Sequence, residues 1–276
     1  PTGKNPIDSY IPVARVADML ERPGAAYQYD GMTRTYPDIR MAYWVGGNPF
    51  HHHQDLNRLR RVWENLETVI VHEPFWTPLA RHADIVLPAT LALERNDLGA
   101  SPRDDYLIAM RQAATPHGLA NNDHNIFAAL SERLHCASEH NGNFAEAFTE
   151  GKSEEQWLQD LYQTSASRIN KLGFEMPDYA AFVEQGFVKL TDPQRPRVLL
   201  QAFRHDPVAH PLTTPSGRIE IFSDVIASFG LNDFPGHPIW CEPTEWLGSP
   251  AVEEHPLHMI THQPARRCHS QLDHGA

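Results

Sequence analysis

Apolar residues recur along this chain with two periods, and the switches between them outline its architecture. Val13, Val16, Ala17 and Leu20 fall at helical spacing, and Pro23-Gly24 stops them. Tyr27 to Tyr36 reads as a short hairpin turning at Asp30-Gly31, a pair suited to a tight turn of positive φ. Met41 to Val45 is an apolar run for a buried strand, and it runs out into Gly46-Gly47, a turn that feeds a helix. From Asp55 to Leu66 the helical period returns: Leu56, Leu59, Val62, Trp63 and Leu66 share a face, while Arg58, Arg60 and Arg61 look outward. Thr68 to Val71 is a continuous β-branched run, as in a parallel strand buried on both faces, and it ends at His72-Glu73-Pro74. Thr77 to His82 predicts a short helix, and Asp84 to Pro88 a third strand.

Strand, helix, strand, helix, strand in so short a stretch predicts an α/β fold. The expected form is a doubly wound, mostly parallel sheet with helices on both faces and right-handed crossovers. Ligands of such sheets sit beyond the carboxyl ends of the strands, which here carry Gly47-Asn48, His72-Glu73 and Pro88-Ala89. Leu93 to Asp105 reads as a long polar loop. Asn125 to Leu134 is an amphipathic helix with Asp123 as its N-terminal cap. Ala145 to Gln163 is helix-rich, and Pro177 to Leu190 reads as a short helix and strand. After the turn Thr214-Pro215-Ser216-Gly217, Arg218 to Ser223 alternates cleanly and predicts a strand. Pro235 to Pro256 is a Pro/Trp-rich linker, and a new element is expected from Leu257.

Charge and cysteine usage narrow the function classes. With 276 residues there is enough chain for a sizeable core, and the net charge of -12 disfavours nucleic acid or an acidic membrane surface as partner. Cys136, Cys241 and Cys268 are far apart and form no C-x-x-C, so neither a disulfide framework nor a thiolate metal site is indicated. No apolar run reaches membrane-spanning length. The chain opens on Pro1 and closes at Gly275-Ala276, so a fragment of a longer protein is expected and its targeting stays open.

Candidate chemistry gathers at the strand ends. A strand, a glycine turn and a helix start are the parts of a nucleotide-phosphate site, although G-x-G-x-x-G is absent; the same residues also serve as a plain strand-to-helix turn. His51, His52 and His53 are neighbours about 100° apart on a helix, so they cannot converge on one metal ion. Glu73 stands where dinucleotide folds put a carboxylate on a ribose, or is a surface acid in a turn. Arg95 suits a phosphate or a base, or pairs with Glu94 or Asp97. His262, Arg266, Arg267, His269, Ser270 and Gln271 crowd one short segment with donors, fitting an anionic or heteroaromatic ligand or simply a polar linker.

Several stretches, in order, resemble one family: Gly46 to Arg58, His72 to Thr77, Ala83 to Thr90, Leu93 to Asp97, Thr214 to Glu220 and Arg267 to Leu272. Together they are similar to the bis-molybdopterin-guanine-dinucleotide oxidoreductases of the dimethyl sulfoxide reductase type. The pattern falls nearest the branch reducing biotin sulfoxide, trimethylamine N-oxide and dimethyl sulfoxide. The resemblance implies the cofactor Mo-bis(molybdopterin guanine dinucleotide), an S-oxide or N-oxide substrate, and an electron donor that is a reductase or c-type cytochrome. It implies cofactor contacts at Asn48, His52, His72, Glu73, Arg95, Asp123, Arg267, Cys268, His269 and Ser270, with the molybdenum ligand outside this chain. On it, residues 1–245 form an α/β domain holding one guanine dinucleotide, with a helical segment over about 124–190. Residues 253–276 begin a C-terminal, barrel-like dinucleotide-binding domain with its first strand. The fragment alone is expected to be inactive, and periplasm and cytoplasm both stay open. An alternative is a non-catalytic, pterin-fold subunit of a larger redox complex.

Overall fold

A computed structural model describes residues 10–101, 103–137, 144–190, 198–243, 245–260, 262 and 265, without the side chains of 135–137. The chain divides into two compact units. Of the described residues, one takes 10–21 and 39–190, and the other takes 22–38 and those from 198 on.

In chain order the elements begin with α1 (Val16–Glu21), then the antiparallel pair β1 (Ala26–Tyr29) and β2 (Met32–Thr35), then β3 (Met41–Val45). Next come α2 (Pro49–His52), α3 (Leu56–Trp63), β4 (Thr68–His72), α4 (Pro78–Arg81) and β5 (Ile85–Leu87). β3, β4 and β5 form a parallel sheet in that order, each at its expected place. The register sets Tyr43 beside Ile70, Val45 beside His72, and His72 beside Leu87. Because side chains alternate across a strand, Trp44, Val69, Val71 and Val86 share one face and Tyr43 and His72 the other. The first face packs with Leu20, Phe50, Leu59, Val62, Trp63, Leu79 and Ala80 into one hydrophobic core.

Helix α3 starts at Asp55, whose φ of 48° is left-handed and whose carboxylate accepts from Arg58 N at 3.1 Å. Arg58 does not look outward as its position on the helical wheel suggests. Its guanidinium reaches α1, donating to Asp18 at 2.6 Å and to Glu21, and so ties two helices that share the core.

The expected polar loop from Leu93 to Asp105 instead contains a strand, β6 (Asp97–Ala100). It pairs antiparallel with β7 (Tyr106–Met110), which pairs antiparallel with β8 (Phe187–Lys189). Asp97-Leu98-Gly99-Ala100 carries no β-branched residue, so pairing rather than propensity makes it a strand. A Cβ on Gly99 would lie 3.0 Å from Met110 Sδ, so the close approach favours glycine. The α/β class with a parallel sheet holds, but among the described residues the parallel part is three strands and a second sheet is antiparallel.

Helices α5 (Asp123–Ala137), α6 (Phe144–Thr149), α7 (Glu154–Asn170) and α8 (Tyr179–Gln185) complete the first unit. Ser153 and Gln156 close a reciprocal capping box that starts α7. Tyr162, Ala166 and Phe182 pack with Leu107 of β7 in a second core, the Tyr162 and Phe182 rings stacking at 4.4 Å.

In the second unit the hairpin turns at Asp30 and Gly31, both at positive φ as expected, and Tyr27 stacks on Tyr36 at 4.3 Å. The short helices α9 (Gln201–His205) and α10 (Asp224–Ala227) follow. Arg218 to Ser223 is not a strand: Ile219 and Ile221 are 67% and 82% exposed. Alternation alone cannot hold a strand without a hydrogen-bonded neighbour. The local polar groups bond within the turn instead, Thr214 Oγ1 donating to Arg218 O and Ser216 N to Glu220. Residues 257–260 have no regular structure, and most of 253–276 beyond them lies outside the described residues. No helix among the described residues is long and apolar enough to cross a membrane.

Candidate functional site

The carboxyl ends of β3, β4 and β5 gather most of the candidate residues. At the end of β3, Gly46 and Gly47 both adopt positive φ, 76° and 75°. A Cβ on Gly46 would meet nothing within 4 Å, so this side of the turn is open to an approaching group. The turn delivers Asn48, which is only 2% exposed. Its backbone is extended (φ -143°), and its Oδ1 caps α2 by accepting from Phe50 N at 3.2 Å. Its Nδ2 has no hydrogen-bond partner among the described residues. A buried amide nitrogen without an acceptor costs about 1–3 kcal/mol. Asn48 is therefore no left-handed turn residue; one end of its amide caps a helix and the other has no acceptor among the described residues.

At the end of β4, the His72 side chain is 1% exposed. Its Nε2 lies 2.7 Å from the Tyr43 hydroxyl and its Nδ1 2.7 Å from Asp123 Oδ1. Burial, and then the Asp123 carboxylate, push the Tyr43 phenol up from its usual value. Glu73, half-buried, accepts from Thr77 Oγ1 at 3.1 Å.

The end of β5 explains how Asp123 arrives here. Ala89 bridges in parallel to Asn121, Thr90 N donates to Asn121 O at 3.1 Å, and Thr90 Oγ1 donates to Asn122 Oδ1 at 2.7 Å. The chain thus runs beside β5 before α5 begins at Asp123. Asp123 is the helix's first residue, and its carboxylate goes to His72 rather than serving as the expected cap. Arg95 donates to Thr90 O at 3.0 Å and to Asp97 at 3.2 Å. It borders a polar cavity of about 280 Å³ with Thr90, Asn121, Asn122 and Glu154.

Histidines at α2 flank the turn. His52 is exposed; burial, followed by the neighbouring His52, holds the His53 imidazolium below the usual histidine range. Asn48, His72, Glu73, Arg95, Asp123 and His52 all belong to the first unit. Arg267, Cys268, His269 and Ser270 lie outside the described residues, as do Arg266 and Gln271. Tyr43, Thr90 and Asn122 escaped the sequence reading. Tyr43 sits inside an apolar run that looks wholly like core, and Thr90 and Asn122 meet only in space.

Residues 26–133 match the model of the molybdopterin oxidoreductase family. The biotin sulfoxide reductase of Cereibacter sphaeroides is 49% identical over 97% of this chain and 35% of its own length. The dimethyl sulfoxide/trimethylamine N-oxide reductase of Rhodobacter capsulatus is 47% identical over 96% of this chain and 32% of its own. The trimethylamine-N-oxide reductase of Haemophilus influenzae is 44% identical over 96% and 32%. The chain thus spans about a third of the length of the relatives it matches. Among solved structures, acetylene hydratase from Pelobacter acetylenicus superposes with a TM-score of 0.54 at 21% identity, covering 80% of this chain and 26% of that one, a likeness of fold. The family match over residues 26–133 takes in the strand ends just described, and with these relatives along nearly its whole length the chain is similar to the molybdopterin oxidoreductases.

Proposed function

We propose that this chain is the part of a molybdenum S-oxide or N-oxide reductase that cradles one guanine dinucleotide of Mo-bis(molybdopterin guanine dinucleotide). The carrying observation is the buried Nδ2 of Asn48, left without an acceptor beside an open Gly46-Gly47 turn at a strand's carboxyl end. A pyrophosphate oxygen or a pterin edge supplies the missing acceptor. His52 on α2, Glu73 and Asp123 at neighbouring strand ends, and Arg95 beside the polar cavity make up the rest of the cradle in this reading. The segment Arg267 to Ser270, with the first strand of a barrel-like C-terminal domain from about residue 253, is assigned by resemblance to the same cofactor.

The bound group supplies two-electron oxygen-atom transfer from a small S-oxide or N-oxide, re-reduced by a separate electron donor. The residues of this chain bind and orient it: Asn48 donates from Nδ2, and the carboxylates accept from donor edges. The relatives named for biotin sulfoxide, dimethyl sulfoxide and trimethylamine N-oxide support this substrate class.

Asn48→Ser in the full-length protein tests the reading. Serine keeps the helix cap, since its rank there equals that of asparagine, but has no amide donor. Guanine nucleotide content and molybdenum occupancy are expected to fall, reflecting about ten- to a hundredfold weaker affinity, with an unchanged melting midpoint of the cofactor-free protein. Full occupancy in this variant, or a parent protein that holds no molybdenum and reduces none of these oxides with a reduced dye, overturns the proposal. The isolated 276 residues are expected to turn over nothing.

A further inference from the structure

We propose that His72 is a positioning residue that acts on the bound guanine nucleotide through Asp123 and does not touch that ligand itself. This rests on the reading, given above, that Asp123 contacts the nucleotide. The His72 ring has no nitrogen to spare. Its Nδ1 is spent on Asp123 Oδ1 and its Nε2 on the Tyr43 hydroxyl, both at 2.7 Å. A carboxylate partner requires Nδ1 to carry the proton, so in the neutral ring Nε2 is an acceptor, and the Tyr43 hydroxyl donates to it. Tyr43 thereby selects the tautomer that serves Asp123. The ring is also wedged between aromatic neighbours, 5.4 Å from Tyr43 and 5.0 Å from Phe127 by centroid. With a side chain 1% exposed, it has no face left for a ligand.

Asp123 is the opposite case. Its side chain is 47% exposed, and among the described residues only Oδ1 is engaged, which leaves Oδ2 to accept. It opens the fifteen-residue helix α5 beside the ends of β4 and β5. A carboxylate oxygen fixed in such a place suits adjacent N–H donors, which a guanine edge presents at N1 and its exocyclic amine. An aspartate free to rotate would lose that freedom on binding; one already held by His72 does not. The buried histidine, 51 residues away in sequence, thus sets how firmly an exposed carboxylate holds its ligand.

The test uses the full-length, cofactor-loaded protein and follows loss of guanine nucleotide during dialysis, assayed as GMP released by acid from the retained protein. Asp123→Ala is expected to speed loss about tenfold or more. His72→Leu is expected to speed it about five- to tenfold, and to add nothing in the Asp123→Ala background, because both changes break one chain of contact. His72→Asn, whose amide nitrogen takes the place of Nδ1 and can donate to Asp123, is expected to stay within about twofold of the parent. A double variant in which the two effects multiply overturns the inference, as does His72→Asn losing nucleotide as fast as His72→Leu. If His72→Leu does not melt cooperatively, His72→Gln replaces it: its amide reaches the Nε2 position and misses Asp123, so fast loss is still expected. Asp123→Ala with unchanged loss would sink the nucleotide contact itself. A fast Asp123→Ala beside a slow His72→Leu leaves that contact standing and sinks only the coupling.

Discussion

The two faces of the parallel sheet follow different rules. One is dry: Trp44, Val69, Val71 and Val86 meet Leu59, Val62 and Trp63 with hydrocarbon and aromatic surface. The other holds a chain of polar groups, Tyr43 to His72 to Asp123, under the ring of Phe127. The dry face is non-directional, so its strength grows with the area removed from water. The polar face gains little net energy per bond but fixes where each atom lies. One side of the same three strands therefore holds the fold, and the other fixes the positions of Tyr43, His72 and Asp123.

Substitutions can break this contrast at graded cost. Leu59→Ala, at a fully buried position on the dry side, is expected to cost about 2–5 kcal/mol, read as a lower urea midpoint with an unchanged slope. Val71→Thr keeps the shape but places a hydroxyl against that dry core. A loss of about 1–3 kcal/mol is expected, and a neutral result would show that the face is not dry. Tyr43→Phe, on the polar side, removes a single bond to His72, so a cost near 1 kcal/mol is expected in thermal melts.

The smallest effect concerns pH. His53 has a folded-state affinity for protons that burial, then His52, holds down, so the neutral form is favoured in the fold. Its contribution is complete above the ordinary histidine value of about 6.5 and is lost as pH falls through the lowered folded value. His53→Gln is expected to flatten that part of the stability-pH curve. The dry-face variants should leave the slope untouched.

Legibility in the sequence followed the same division. β3, β4 and β5 could be read because parallel strands packed on a core are uninterrupted apolar runs. Of the three, though, only β4 holds buried residues, and Met41 and Val45 of the expected buried strand are exposed. Asn48 could be found from its place after Gly46-Gly47 alone. β6 could not, since Asp97-Leu98-Gly99-Ala100 becomes a strand only through β7. Ile219 and Ile221 alternate with charged residues and still form no strand, because no neighbour among the described residues pairs with them. Asp123 sat where a helix cap belongs, and only the spatial meeting with His72 shows its different use. Local pattern reports period and propensity, whereas these cases turned on pairing, with the neighbouring β7 for β6 and with a histidine 51 residues away for Asp123.

The hairpin of β1 and β2 carries a consequence for how the protein is made. Gly31 has a φ of 70°, and a Cβ there would lie 2.6 Å from the ring of Phe229, so the turn and that ring are fitted closely. The ribosome delivers Gly31 well before Phe229, with residues 39–190 of the first unit made in between. During that interval the hairpin waits without its partner, and a two-stranded hairpin alone is marginally stable in water. The second unit therefore closes only after those intervening residues have been made, and until then its hairpin is a strand pair exposed to misassociation.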